Sequence, residues 1–368
     1  MKYNWQLKNW PLFDYQIDDE IEQLLLVINE RANVLAGSFL SLSKEKRNQG
    51  LSEIITEESV STSEIEGEYI SRVEVMSSVL HQLDQASKAK IKDRRVKGVS
   101  QMMFQVRNDY NAVLTKELLC RWHQLLLQGD PRITLGDFRS KTAPMQIVSG
   151  SVGREKVHFE APPSNVVLPM MNDFFDWYNS GFPSTPKEKL YSTIRSAIAH
   201  LYFESIHPFE DGNGRIGRAI AEKALAEGLG RSPIISLSKI INQNKKEYYN
   251  ALMIAQGTLN IDSWIKYFLR TIDGAFKYSD DVIQWTIKKW GLMNKYQGQL
   301  NKRQQKVLLK MLETFQFEGA MSAKKYMSIT KTSKATATRD LQNLTSLGVL
   351  KTTGGGRSVR YEVNLEEE

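Results

Sequence analysis

Residues His207 to Arg218 read HPFEDGNGRIGR, and this stretch joins two segments of helical character. Ile194–Ile206, IRSAIAHLYFESI, places apolar residues at helical spacing. Ile216–Leu229, IGRAIAEKALAEGL, is Ala-rich and again helical. The stretch is therefore predicted to be a loop that runs into a helix N-terminus. The first N–H groups of a helix lack internal partners, and the helix dipole adds positive potential there. Gly212 and Gly214 allow a tight turn and a close approach by a ligand. The result is a nest suited to phosphate. Arg215 and Arg218 share one helix face, and guanidinium groups grip phosphate bidentately. Asp211 is a hard oxygen donor of the kind that holds magnesium against phosphates. His207 supplies an imidazole, the side chain suited to taking a proton near neutral pH. These are the parts for attack by a hydroxyl on a nucleotide phosphate.

HPFEDGNGRIGR resembles the signature of Fic-domain proteins: HPF, any residue, Asp or Glu, GNGR, two residues, then Arg. Every fixed position is matched. The resemblance implies a mainly α fold, with a helical core and a small β-hairpin flap. It also implies an activity, transfer of AMP from ATP to a Ser, Thr or Tyr hydroxyl of a target protein and of the chain itself. His207 would be the base, and Asp211 would hold Mg2+. Gly212, Asn213, Gly214, Arg215 and Gly217 would hold phosphates, and Arg218 would reach the γ-phosphate. Phe209 would anchor the loop in the core.

Thr62 to Gly67, TSEIEG, resembles the inhibitory motif of the same family. Carried over, Glu66 would pair with Arg218 and compete with a γ-phosphate for it, within an inhibitory helix over residues 57–67. A different reading of the same residues is a capping box started by Ser63. That would bring Gly67 into the first turns of a helix, which is costly. Gly67 fits better as the residue ending a short helix.

The run from Gly136 to Pro163 contains GDFR and then a predicted hairpin, with Gly150 and Gly153 in its turn and alternation over Lys156 to Phe159. In the family, such a flap (residues 141–163) aligns the target by strand addition. Tyr248, Tyr249 and Asn250 follow in a helical segment, where an aromatic could stack on adenine. His200 reads as a packed or hydrogen-bonded residue, and His81 and His123 carry no signal.

The chain has 368 residues, 41% hydrophobic and 10% aromatic, enough for a real core. Its single cysteine, Cys120, excludes an internal disulfide. No apolar leader opens it and no long apolar run crosses a membrane, so a cytoplasmic protein is expected. A net charge of +7 does not by itself establish nucleic-acid binding. The C-terminal part gives a more specific reason. Three helical patterns cover Gln304–Phe315, Ser322–Ile329 and Ser333–Leu347, the last with Ala337, Leu341 and Leu344 on one face and Gly348 at its end. VLKTTGGGRSVRYEV then reads as two strands. This order resembles a winged helix-turn-helix, with Lys334, Thr336 and Arg339 facing out and Arg357 and Arg360 on the wing, which makes DNA a candidate partner. Glu366–Glu368 reads as a frayed acidic tail. Trp5, Trp10, Phe13 and Tyr15 would anchor an N-terminal module on the core.

The domain reading is residues 1–45 as that module, 46–290 as the Fic core and 300–368 as the winged helix. The functional reading is a protein adenylyltransferase held down by Glu66, with a homodimer as a further candidate assembly. The alternatives are removal of AMP or transfer of another phosphate group at the same site, or a DNA-binding regulator whose core only senses nucleotide.

Overall fold

The computed structural model describes residues 2–85, 90–128, 133–149, 156–180, 186–312, 320–355 and 359–365. Gly150, Gly153, Phe315, Arg357 and the tail Glu366–Glu368 lie outside them. The described chain is mainly helical. In order it forms α1 (Asp19–Leu40), α2 (Lys44–Ile65), α3 (Arg72–Gln82), α4 (Arg94–Asn108) and α5 (Lys116–Leu126). A hairpin follows, β1 (Gln146–Ser149) and β2 (Lys156–Glu160), then α6 (Ser164–Ser180), α7 (Pro186–Ile206) and α8 (Asn213–Leu229). Next come α9 (Leu237–Gln243), α10 (Lys245–Ala255) and the long α11 (Asp262–Lys295). The last elements are α12 (Lys302–Met311), α13 (Ala323–Thr330), α14 (Lys334–Ser346), β3 (Leu350–Thr353) and β4 (Arg360–Val363).

The chain packs as two units, Met1–Ser41 with Ile54–Asp280, and Leu42–Glu53 with Asp281–Glu368. This division differs from the three modules expected. The expected joins, near residue 45 and over 290–300, fall at the start of α2 and across the end of α11, whereas the two units divide after Glu53 within α2 and after Asp280 within α11.

In the first unit α7 and α8 are the central pair. Nearly every residue of α8 is buried, which its alanines permit by keeping the helix thin. Gly228 lies so close to Ser192 that an added Cβ would meet the Ser192 hydroxyl at 1.7 Å. Ser196 donates to the Ala221 carbonyl at 2.7 Å across the same contact. Buried charges on α8 are paired: Glu222 with Arg107 at 2.6 Å, and Lys223 with Glu227 at 2.6 Å. Both ends of α8 are set by glycines in the left-handed region, Gly212 (φ 82°) and Gly230 (φ 66°), which a β-carbon disfavours.

The N-terminal aromatics pack onto this unit. Trp10 and Phe13 make edge contacts with Tyr202 of α7, and the Trp5 indole donates to the Glu160 carbonyl of β2 at 2.8 Å. Strands β1 and β2 pair antiparallel, Gln146 opposite Glu160, with an irregularity between Ile147 and Val148.

In the second unit, α12 begins with a capping box at Asn301 and Gln304, and Val307, Leu308, Met311 and Leu312 are buried. Ser322 caps α13 and Ser333 caps α14. Ala337, Leu341 and Leu344 of α14 lie in the same core, and Gly348 (φ 78°) ends that helix. Strands β3 and β4 pair antiparallel, Leu350 opposite Val363. Lys334, Arg339, Lys351 and Arg360 are exposed, and Thr336 is half-buried.

Candidate active site

The loop between α7 and α8 is built around two side chains of its own motif. Phe209 is fully buried, stacked on His123 (ring centroids 4.3 Å apart) and edge-on to Phe138. Asn213 is 2% exposed and closes the loop with both ends of its amide. Its Nδ2 donates to the Phe209 carbonyl and its Oδ1 accepts the Phe209 N–H, both at 2.9 Å. The Asn213 side chain is thus a staple of the loop, and its backbone N–H lies in the open first turn of α8. Arg139, from the GDFR segment, clamps the loop from outside. It donates to the carbonyls of His207 (2.8 Å), Pro162 (2.5 Å) and Ile206 (3.3 Å). Burial beside these carbonyls pushes its guanidinium down to about 10.

His207 leaves α7 with a φ of 51°, a region rare for a residue with a side chain. Its N–H still bonds the Phe203 carbonyl at 2.9 Å, so His207 continues the last turn of α7 into the loop before α8. At that mouth the N–H groups of Asn213, Gly214 and Arg215 have no carbonyl within the helix to bond. Beside that first turn lies the carboxylate of Glu66, which follows α2. A Cβ on Gly214 would fall 2.1 Å from Glu66 Oε1, so the absence of one makes room for that carboxylate.

Glu66 arrives there through the end of α2. The Gly67 N–H bonds the Glu64 carbonyl and the Glu68 N–H bonds the Ser63 carbonyl, with Gly67 at φ 79°. This is a Schellman ending, with Glu66 as the last cap residue. It reverses the chain so that Glu66 and Glu68 both face α8. Glu66 accepts from Arg218 Nη2 at 2.8 Å, and Glu68 accepts from Arg215 Nη1 at 2.7 Å. Arg218 also donates to the Thr62 hydroxyl and carbonyl, both at 2.9 Å. Burial disfavours the Arg218 charge, but Glu66 beside it holds its pKa above the ordinary value. The helix ended by Gly67 is long, 22 residues, and not the short one expected. The capping-box reading fails, because Ser63 lies inside α2 with its hydroxyl on the Ser59 carbonyl.

Two further expectations need correction. Gly217 faces α7 and not the open first turn of α8. A Cβ there would lie 2.4 Å from Glu204 Oε1, so it serves the packing of α7 on α8. Tyr248 offers no ring face to a base. It is 1% exposed, its hydroxyl is 2.9 Å from His200 Nε2, and its ring packs among His200, Tyr249 and Trp264. Tyr249 is 44% exposed and donates to the Ile65 carbonyl at 3.1 Å, and Asn250 is exposed. Sequence reasoning missed Arg139, Glu68, Glu204 and His123. His123 Nδ1 accepts the Gly136 N–H at 2.9 Å and its ring carries Phe209, and burial pushes its pKa down.

Asp211 is one of two carboxylates of the loop, and the other, Glu210, pairs with Lys141 at 3.0 Å. The Asp211 side chain is half exposed, with Oδ1 on the Gly212 N–H at 2.5 Å and 3.6 Å from Arg215 Nη2. Among the described residues no group of three or more His, Cys, Asp or Glu side chains forms a metal cage. One exposed carboxylate beside a phosphate nest fits magnesium, which takes one or two carboxylates and completes its shell with phosphates and water. No helix among the described residues is long and apolar enough to cross a membrane.

Residues 113–225 match the Fic/DOC family, and residues 3–84 match a domain of unknown function, DUF4172. The chain is 29% identical over 173 residues to the protein adenylyltransferase Fic of Drosophila willistoni, an alignment covering 47% of this chain and 30% of that protein. It is 32% identical over 99 residues to a probable protein adenylyltransferase of Aquifex aeolicus, covering 27% of each. The matched region thus spans about a third or less of these relatives' length. A Fic family protein from Desulfovibrio desulfuricans superposes with a TM-score of 0.55 at 18% identity, over 96% of this chain and 98% of that one. A Fic domain containing signaling protein from Bacteroides thetaiotaomicron gives 0.52 at 19%, over 72% and 97%. These likenesses show a shared fold.

Proposed function

We propose that this chain, which carries a Fic/DOC domain, is a protein adenylyltransferase restrained by its own Glu66. The observation that carries the reading is the meeting of three groups at one helix mouth: His207, the open first turn of α8, and Arg218 already gripped by a carboxylate. The phosphates of ATP would lie on the N–H groups of Asn213, Gly214 and Arg215, where the helix dipole and the two arginines favour negative charge. Asp211 would hold Mg2+, which offsets phosphate charge when bound.

In the reaction the acceptor hydroxyl of a Ser, Thr or Tyr attacks the α-phosphorus. Its proton passes to His207, a new P–O bond forms, and the bond to the β-phosphate oxygen breaks with release of pyrophosphate. Glu66 occupies the anion position and one guanidinium that a γ-phosphate would need. The site in this state therefore disfavours ATP in the reactive pose. The β1–β2 flap, held by Trp5 and Tyr3, would present backbone edges to a target strand.

The test is intact mass of the chain, and of proteins incubated with it, after exposure to ATP and magnesium. A gain of one AMP supports the reading. Loss of AMP from a pre-labelled protein, without any gain, would replace it with AMP removal at the same site.

A further inference from the structure

We propose that Glu204 is a positioning residue for His207, holding the imidazole proton on Nδ1 so that Nε2 meets the acceptor hydroxyl. The proposal rests on His207 being the base of the reaction read above. Glu204 lies one turn before His207 on α7 and is 3% exposed. Its Oε2 is 3.5 Å from His207 Nδ1, an ion-pair distance slightly too long for a hydrogen bond. Such contacts are often loose without substrate and tighten in the reacting complex. Neither His207 Nδ1 nor Glu204 Oε1 has a hydrogen-bond partner among the described residues. The nearby His200 has Nε2 at 2.9 Å from the Tyr248 hydroxyl, while its Nδ1 has no hydrogen-bond partner among the described residues.

The fold makes specific room for this carboxylate. Gly217 occupies a slot that the loop motif leaves free for any residue. A Cβ there would lie 2.4 Å from Glu204 Oε1 and 3.1 Å from His200 Nδ1. Any larger residue would push Glu204 out of its place. Burial opposes charge on Glu204, yet His207, His200 and Arg218 keep its carboxyl below the ordinary value. A buried carboxylate facing a histidine is costly unless the charge has a use.

Its use follows from proton accounting. A neutral imidazole carries one N–H. If that proton sat on Nε2, no lone pair would face the hydroxyl. An acceptor at Nδ1 fixes the productive tautomer. As the hydroxyl oxygen bonds to phosphorus its proton moves to Nε2, and the carboxylate offsets the imidazolium that forms.

The test uses the full chain in a Glu66→Gly background, with Glu204→Gln, Glu204→Asp and Gly217→Ala added singly. Nitrogen NMR of the imidazoles reads the tautomer, with His207→Ala identifying the His207 signal. In the parent, neutral His207 should carry its proton on Nδ1. Glu204→Gln and Gly217→Ala should both mix the tautomers and lower kcat by roughly 10- to 100-fold, less than full loss of a base costs. KM for ATP should stay within about twofold, because the phosphate nest is untouched. Glu204→Asp should recover part of the rate. Parent-like kcat in both Glu204→Gln and Gly217→Ala, or a parent His207 protonated on Nε2, would overturn the proposal. If Glu204→Gln does not fold, judged by melting and ATP binding, the other two variants decide it. If the parent transfers no AMP at all, the functional reading fails while the tautomer still decides the role of Glu204.

Discussion

Replacing Glu66 by glycine should raise AMP transfer by about 10- to 30-fold. The bond removed is charge-assisted, 2.8 Å long, to a guanidinium that is fully buried. Hydrogen bonds to charged groups contribute about 1.5–3 kcal/mol. The Glu66 side chain is 29% exposed, so solvent screening places this one near the lower end, about 1.5–2 kcal/mol. In the proposed restraint that energy would hold the site closed, and each 1.4 kcal/mol is about tenfold in population. Arg218 keeps its bonds to the Thr62 hydroxyl and carbonyl in the variant, so it stays aimed at the site. The assay is a time course of labelled-ATP incorporation at fixed magnesium, with ATP affinity measured alongside. Glu66→Gln, which keeps a hydrogen bond and loses the charge, should fall between the two. Glu68 grips Arg215 at a similar distance and exposure, so Glu68→Ala should add a further increase, and a double-mutant cycle separates the two contacts. Transfer by Glu66→Gly no faster than wild type, with unchanged ATP affinity, would show that this carboxylate does not compete with phosphate.

His207→Ala should lose transfer by roughly 100- to 10,000-fold while binding ATP as before, since the phosphate contacts come from α8; a normal labelling rate would remove it as the base. Phe209→Ala should lower stability by about 3–5 kcal/mol, because a fully buried ring stacked on His123 leaves a cavity, and calorimetry showing under about 1 kcal/mol would contradict its anchoring role. His123 is held neutral by burial, with its folded pKa below the ordinary 6.5. Its stabilising contribution is present above that value and lost as pH falls through the folded value, so the denaturant midpoint should drop on acidification and His123→Gln should flatten that drop. If the exposed Lys334, Arg339 and Arg360 contact DNA, titration against random duplex at low salt should show binding whose salt slope flattens by roughly one unit per contact removed; absence of binding at low salt would leave this segment a protein-contact module.

The loop motif was legible because its chemistry and its spacing coincide in one short run. Gly212 needs a positive φ, and Phe209 and Asn213 serve the loop from within it. What the sequence could not assign was direction. Asn213 read as a phosphate ligand, and its amide also bonds the backbone of Phe209, four residues back. Gly217 read as part of the nest, yet it lies against Glu204 and His200 of α7. Tyr248 and Tyr249 are adjacent and chemically alike, and only the packing against Trp264 decides which of them is inside.

Two of the residues that escaped notice, Arg139 and Glu68, have partners far away in the chain. Arg139 serves carbonyls at 206 and 207, and Glu68 serves Arg215, 147 positions later. Neither belongs to a local pattern, so spacing carries no trace of either. The turn that places Glu68 is local, however. Gly67 with its left-handed φ forces the chain back on itself after α2, and a Schellman ending fixes the two flanking residues on the same side. A glutamate on each side of that glycine, opposite two arginines three apart on α8, makes one turn answer for both guanidinium groups. The proposed restraint on the site would therefore be a property of the end of α2 as a whole.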